Sequence, residues 1–159
     1  MWTEHVVPRL ADLSLRGHEI GDLRGLACAG LRGRILEIGF GSGPNIRWYP
    51  PEVTAVSAVE PSDVGWQLSE RRRERATVPI ERSGLDGERL DEPDATFDSA
   101  LSTFTLCTIP DAAAALAEVR RVLRHGGTLH VLEHGLAPDP GVVRWQHRIE
   151  PLQRRLAGG

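Results

Sequence analysis

Three glycines at alternate positions form the most chemically informative stretch of the sequence. Gly39, Gly41 and Gly43 follow an apolar run at residues 35–38 that is typical of a buried strand. Without side chains, this backbone can turn sharply and bring its N–H groups against a ligand. An ordinary strand-to-helix turn needs one such glycine rather than three. The spacing therefore predicts the binding loop of a nucleotide-type ligand.

Residues around the loop indicate which ligand it binds. A dinucleotide loop would need its third glycine at position 44, where a helix N-terminus meets the pyrophosphate, but this residue is Pro44. Glu37 precedes the glycines, and Glu60 ends the next predicted strand. Together these residues resemble the cofactor loop of class I S-adenosylmethionine (SAM) methyltransferases. SAM carries a sulfonium, an ammonium and a ribose diol instead of a phosphate. The resemblance implies that Glu37 meets the cationic end, directly or through water, and that Glu60 meets the diol.

Composition limits the class of protein. With 159 residues, 40% of them hydrophobic, the chain is expected to form one domain, and its net charge of -3 does not favour a nucleic-acid partner. No apolar run approaches the roughly 20 residues of a membrane span. The N-terminus lacks a secretion signal, so a cytoplasmic location is predicted.

Cys28 and Cys107 lie far apart in unlike contexts, which predicts neither a disulfide nor a metal site. Cys28 is interpreted as a packing residue and Cys107 as part of a pocket wall.

The predicted elements alternate between strand and helix. Strands are expected at residues 34–38, 53–59, 78–82, 97–102 and 128–132, and helices at residues 5–15, 19–29, 45–49, 61–76, 112–124 and 141–156. This order predicts an α/β, Rossmann-like doubly wound, mostly parallel sheet of about five strands with helices on both faces. Residues 1–30 would cover the sheet or the pocket, and residues 31–159 would form the SAM-binding part of a single structural domain. Ligands bind such sheets beyond the carboxyl ends of the strands.

Apolar spacing predicts which side chains the helices turn inward. In the helix at residues 19–29, Leu23 and Leu26 are expected on the inner side. In the helix at residues 112–124, Leu116 and Val119 are expected on the buried stripe, after an N-cap at Asp111. The sequence His125-Gly126-Gly127 is expected to end that helix.

Longer motifs narrow the resemblance. The segments that match in order and spacing are Leu36-Glu37-Ile38-Gly39-Phe40-Gly41-Ser42-Gly43, Val59-Glu60-Pro61-Ser62, Phe97-Asp98 and residues 118–127. They resemble small class I methyltransferases of the ubiquinone-biosynthesis-like group. Leu106-Cys107-Thr108 and Leu132-Glu133-His134-Gly135 are similar to the branch that contains thiol methyltransferases and their bacterial relatives. The resemblance, over roughly residues 33–156, implies SAM as the cofactor and S-adenosylhomocysteine as the product.

The resemblance assigns a role to each matching position. The glycines would line the methionine part of SAM, Asp86 would accept from the adenine amino group, and the Gly87 N–H would face the ring. Thr103 or Phe104 would offer a backbone carbonyl under the methionine end. The full implied set of cofactor-binding residues is Glu37, Gly39, Phe40, Gly41, Gly43, Glu60, Pro61, Asp86, Gly87, Thr103 and Phe104.

Catalysis of methyl transfer chiefly requires the nucleophile, the methyl carbon and the sulfur to be in line, so a base is optional. His134, just past the fifth strand, is the first candidate for such a base and Asp86 the second, although a His at a strand end is more often a hydrogen-bonded structural residue. The expected acceptor is a small molecule, a thiol or a lipophilic compound. Two other functions stay open: a SAM-binding but catalytically inactive remnant, and an NAD-linked oxidoreductase, against which Pro44 and the lack of a Tyr-Lys pair argue.

One departure from the group concerns its last two strands, which usually close the sheet. No stretch after residue 132 has strand character. We therefore expect a C-terminally shortened chain whose fifth strand has an unpaired edge. Such an edge is a template for association, which predicts a homo-oligomer through it.

Overall fold

The computed structural model describes residues 18–133. Its strands are β1 (Gly33–Ile38), β2 (Val53–Val59), β3 (Ile80–Gly84), β4 (Phe97–Thr103) and β5 (Leu123–Leu132). Its α-helices are α1 (His18–Cys28), α2 (Asp63–Leu68), α3 (Glu70–Arg73) and α4 (Ala112–Val122), with short 3-10 turns at Ile46–Trp48 and Leu106–Thr108. The helices predicted at residues 5–15 and 141–156, and His134, lie outside the described residues.

The five strands form one parallel sheet in the order β3-β2-β1-β4-β5. β1 lies at the centre, where Ile35 pairs with Val56 of β2 and with Ser99 of β4. The predicted α/β, Rossmann-like fold is therefore confirmed. Because the strands are parallel, all their carboxyl ends meet at one edge of the sheet, where a ligand is expected.

β1 divides its side chains between the two faces of the sheet, because successive residues of a strand point to opposite sides. Leu36 and Ile38 pack with Val119 and Val122 of α4. Ile35 packs with Cys28 of α1 on the other face. Glu37 has the same parity as Ile35 and therefore points to the α1 face, where it is fully buried.

Several boundaries differ from those predicted. The helix expected at residues 61–76 is two pieces, α2 and α3, which meet at Ser69. The third strand is Ile80–Gly84 rather than residues 78–82. α4 ends at Val122, before His125-Gly126-Gly127, because β5 begins at Leu123. The glycines lie within an irregular part of the β5 ladder, in which Phe97 pairs with Leu123 but Ser99 pairs with Thr128.

Two predicted apolar faces are also partly wrong. Leu23 and Leu26 of α1 are exposed, Leu26 to 74%, and the buried side of α1 carries Arg24 and Cys28 instead. On α4, Leu116 is exposed and Val122 is buried, whereas Val119 is buried as predicted. Periodicity identified both helices but not their angular orientation, which depends on the face that the sheet offers. None of the helices in residues 18–133 is long and apolar enough to cross a membrane.

Candidate cofactor-binding site

A cavity of about 690 Å³ lies at the carboxyl edge of the sheet. Its volume is within the range of small-molecule sites. The residues after β1, β2, β3 and β4 line it, and α1 closes one side through Gly21 and Arg24. All of the sequence-predicted cofactor residues in this part of the chain line it except Glu37 and Gly43.

The loop after β1 requires glycine at two positions for different reasons. Gly39 has a φ of +74°, and a Cβ there would lie 2.0 Å from Thr105 Oγ1, so the loop after β4 packs directly on it. Gly41 has a φ of +56°, and the nearest atom to a Cβ there would be the Gly39 carbonyl oxygen, 4.0 Å away. A side chain at 41 would therefore occupy the cavity itself. The loop is open to the cavity at Gly41, as the backbone of a ligand-binding loop must be.

Glu60 ends β2 with its carboxylate under this loop. Gly41 N donates to its Oε2 over 2.5 Å, and Ser62 N donates to its Oε1 over 2.8 Å. Burial raises the pKa of Glu60, while the N–H donors of Gly41 and Ser62 oppose the shift. A carboxylate has about four acceptor sites, so two N–H donors leave capacity for the hydroxyls of a diol. The placement fits the ribose role that the sequence predicts.

Past β3, the cavity is bordered by Leu85, Asp86, Gly87 and Glu88. Asp86 is exposed at the rim, and its Oδ1 accepts from Glu88 N over 2.8 Å. A Cβ on Gly87 would lie 3.2 Å from Ile38, so this backbone approaches the end of β1 closely. The arrangement provides an apolar wall with a carboxylate at its rim, which suits an adenine ring.

Past β4, the chain turns through a strained residue at the cavity wall. Phe104 has a φ of +55°, a conformation that is uncommon for a residue with a side chain. The turn is held by Glu133, whose Oε1 accepts from Thr105 N over 2.9 Å and from Leu106 N over 3.0 Å. Strained residues of this kind persist only where surrounding contacts fix them, and they cluster at functional sites. Glu133 belongs to the motif Leu132-Glu133-His134-Gly135, but no role was predicted for it.

Glu37 lies behind the cavity wall rather than at it. It is 0% exposed, and its carboxylate accepts from Asn45 Nδ2 over 2.9 Å and from the Tyr49 hydroxyl. Burial raises its pKa to about 7, against the hydrogen bonds from Tyr49 and Asn45 and the nearby Arg24 charge, which lower it. The structure thus gives no direct contact between Glu37 and the cavity, and its indirect contact with a ligand stays a prediction.

Arg24, rather than Glu37, lies at the cavity wall. It is only 3% exposed, lines the cavity, and donates from Nη1 to Asn45 Oδ1 and Thr103 Oγ1. Neither Arg24 nor Asn45 was predicted from the sequence to belong to the site. The position of Asn45 just after the glycine loop is a weak sequence signal for a binding residue. Arg24 has no such signal, because it stands between leucines that were expected to face inward.

The two candidate bases, Asp86 and His134, and the two cysteines differ in where they lie relative to the cavity. Asp86 is at the cavity rim, and His134 lies outside the described residues. Cys107 is exposed and does not line the cavity, whereas Thr108 does, so the interpretation of Cys107 as pocket wall is wrong. Cys28 is buried as predicted, and burial raises its pKa to about 12.

Comparison with known proteins relates this site to a family. A family model of the methyltransferase domain matches residues 36–131, from the middle of β1 to the end of β5. The chain belongs to this methyltransferase domain family. The class I SAM methyltransferase that the motifs predicted is therefore confirmed at the level of the family, and the NAD-linked alternative gains no support.

Relatives and a solved structure agree with the family. Thiol S-methyltransferase TMT1B of Homo sapiens is 30% identical over 143 residues, which cover 86% of this chain and 57% of the human protein. Demethylmenaquinone methyltransferase of Roseiflexus castenholzii is 32% identical over 148 residues, which cover 79% of this chain and 55% of that protein. The chain thus spans about half the length of these curated relatives. The crystal structure of the YcgJ protein from Bacillus subtilis has a TM-score of 0.69 at 22% identity, over 86% of this chain and 59% of that one, which shows the shared fold.

Proposed function

We propose that this chain binds SAM in the cavity at the carboxyl edge of the sheet and transfers its methyl group to a small-molecule acceptor. The observation that carries the proposal is the pairing of Glu60 with the N–H of Gly41 beneath a loop that is open to the cavity at Gly41. This pairing places a carboxylate that can accept from a ribose diol next to the glycine loop, where no side chain blocks a ligand. The lining also includes Asp86, which follows β3, and Thr103, which ends β4 on the other side of β1.

Bound there, SAM would supply a methyl carbon on a positively charged sulfur, so that an acceptor nucleophile bonds to the carbon as the carbon–sulfur bond breaks and S-adenosylhomocysteine leaves. The chain's own contribution is orientation, which can lower a barrier by roughly 7 to 11 kcal/mol in good cases. Glu60 and the glycine loop hold the nucleoside in place. The loop after β4, fixed by Glu133, forms the wall next to the reacting end.

The acceptor is proposed to be a small thiol or another lipophilic compound. Support comes from apolar side chains in the cavity wall, among them Trp48 and Phe104. Two of the relatives, a thiol S-methyltransferase and a demethylmenaquinone methyltransferase, are named for acceptors of this kind. Asp86 and His134 stay the candidates for a base.

Two measurements test the proposal. Calorimetric titration should show binding of S-adenosylhomocysteine and none of NADH, and tight NADH binding without the former would overturn the choice of cofactor. Transfer of a labelled methyl group from SAM should then be measured with a panel of thiols, phenols and amines. Binding without transfer to any acceptor would favour the SAM-binding, inactive alternative.

Two further predictions of the sequence stay predictions. Within residues 18–133, β5 pairs on one side only, with β4, so its other edge is a surface on which two copies could associate. Light scattering that shows a monomer at high concentration would contradict this self-association. The cytoplasmic location is tested by fractionating cells that express the chain.

A further inference from the structure

Helix α1 brings a buried arginine to the cavity wall. Arg24 is 3% exposed and lines the cavity, although its helix neighbour Leu23 is exposed. Two glycines of the same helix face Trp48, and a Cβ on Gly25 would lie 3.1 Å from the indole ring. Larger residues there would push α1 away from the turn that carries Trp48. The small residues of α1 therefore allow the guanidinium to reach the cavity.

Side chains from two other elements fix the guanidinium. Nη1 of Arg24 donates to Asn45 Oδ1 over 2.8 Å and to Thr103 Oγ1 over 2.9 Å. Asn45 is held in turn, because its Nδ2 donates to Glu37 Oε1 and to Thr103 Oγ1, each over 2.9 Å. The guanidinium carbon lies 5.1 Å from the centre of the Phe104 ring. A guanidinium is a planar fork that matches a carboxylate, and these contacts set the plane of the fork.

The order of strands indicates which part of SAM would lie beside Arg24. Asp86 follows β3, Glu60 follows β2, and Thr103 ends β4 on the other side of β1. With adenine at Asp86 and ribose at Glu60, the amino-acid end of SAM continues past the glycine loop toward Thr103. Arg24 donates to that residue. The amino-acid end carries one carboxylate, and a charge-assisted hydrogen bond from Arg to a carboxylate is roughly twice as strong as one between neutral groups.

We propose that Arg24 binds the carboxylate of the amino-acid end of SAM, and that Asn45, held by Glu37, is its positioning residue. This inference rests on the proposed function, because it needs SAM in the cavity. It makes α1 part of the cofactor site and gives the site a means to reject nucleosides that lack the carboxylate.

The test compares ligands that differ by the carboxylate alone. Calorimetric titration of the wild-type chain with S-adenosylhomocysteine and with its decarboxylated counterpart should show a preference of about 10- to 100-fold for the former. Arg24→Gln should remove most of this preference by weakening the first ligand, while the affinity for the decarboxylated ligand changes by less than about threefold. Arg24→Lys, which keeps the charge but not the fork, should fall between the two.

A matched control is available in the same wall. Arg47 also borders the cavity, but it is exposed and lies 4.7 Å over Trp48, outside the Arg24 network. Arg47→Gln makes the same change in charge and should leave the preference intact. If Arg47→Gln removes the preference and Arg24→Gln does not, the assignment to Arg24 is overturned.

The remaining outcomes separate this inference from the proposed function. A wild-type chain that binds neither ligand counts against SAM binding, and with it both proposals. A wild-type chain that binds both ligands equally retains SAM binding and overturns the role of Arg24; this comparison needs no variant, so it decides even if Arg24→Gln fails to fold. For Asn45→Leu, a positioning role predicts a loss of preference of about fivefold, whereas equal weakening of both ligands would contradict it.

Discussion

The two halves of the cavity are built in different ways. In the nucleoside half, the carboxylates of Glu60 and Asp86 accept from backbone N–H groups, two of which lie only two residues further along the chain. In the amino-acid half, side chains bind side chains across long separations: Arg24 to Thr103 spans 79 residues and Asn45 to Thr103 spans 58. The nucleoside half therefore depends in part on contacts within single loops, although its Gly41–Glu60 contact spans 19 residues, whereas the amino-acid half depends mainly on contacts between distant segments.

The halves also differ in their cost of burial. Arg24 and Glu37 are both almost fully removed from water. A buried charge without partners is strongly unfavourable, so every member of this network supports the others. In the nucleoside half Glu60 is buried as well, at 5% exposed, but Asp86 is exposed. Substitutions in the amino-acid half should change both stability and ligand choice, whereas substitutions in the nucleoside half should mainly change affinity.

The largest effect is expected at Gly39, where the two halves meet. Gly39→Ala adds a Cβ at a φ of +74° and within 2.0 Å of Thr105 Oγ1. The left-handed backbone and the overlap together should lower the free energy of unfolding by about 3 kcal/mol or more and abolish S-adenosylhomocysteine binding. Thermal denaturation and calorimetry measure the two losses. Gly84→Ala is the control, because its Cβ would lie 3.8 Å from Val59, an ordinary contact, and should change stability by less than about 1 kcal/mol.

Glu60→Gln should weaken the nucleoside half. The amide would turn an N–H group toward one of the two backbone donors, Gly41 N or Ser62 N, and would bind a diol less well. We expect affinity to fall by about 10- to 100-fold for S-adenosylhomocysteine and by the same factor for methylthioadenosine, which has the nucleoside but not the amino acid. Unequal losses would contradict the division into halves. Asp63→Asn, at an exposed partner of Arg82, should change either affinity by less than about twofold.

Glu37 should make the stability of the amino-acid half depend on pH. Burial raises its pKa from 4.5 to about 7, so the folded protein keeps a proton that the unfolded chain has lost. Its contribution to the free energy of unfolding is full below pH 4.5, falls between pH 4.5 and 7, and is lost above pH 7, by up to about 3 kcal/mol. Glu37→Gln should make this fall smaller, as measured by urea denaturation across the range, and leave the part that the raised pKa of Glu60 contributes.

Glu118 provides the opposite case as a control. Hydrogen bonds from Arg121 and from Leu90 N lower its pKa to about 2, so its contribution is present above pH 4.5 and is lost as the pH falls toward 2. Glu118→Gln should therefore keep the wild-type slope between pH 4.5 and 7. If Glu37→Gln also keeps that slope, the buried carboxylate does not titrate as described.

The smallest effect is expected at Asp86. Asp86→Asn keeps an oxygen that can accept from Glu88 N but removes the charge that would face an adenine amino group. Affinity for S-adenosylhomocysteine should fall by about 3- to 10-fold with no change in melting temperature. If Asp86 is instead the base, the affinity should hold while kcat falls by about 100-fold or more, which would move this residue from binding to catalysis.

The parts of the fold that sequence predicted well are those with local causes. β2 was predicted with its observed bounds, because Val53–Val59 is an apolar run that only a strand covered on both faces would carry. The N-cap at Asp111 is confirmed, since its side chain accepts from Ala114 N. The inner faces of α1 and α4 were predicted less well. The spacing of apolar residues alone does not decide which of them are buried, because that depends on how each helix packs against the sheet.

The sequence by itself determined the succession of strands and helices along the chain, the glycine loop after β1 and the carboxylate after β2. Each depends on backbone requirements within a few residues, such as the open space at Gly41. Only the tertiary structure decided that Glu37 lies behind the wall and that Arg24, from a helix whose leucines were expected to face inward, lies at it. The physical reason is that burial of a charge depends on the partners that other elements bring to it, and Asn45 and Thr103 come from segments 21 and 79 residues away.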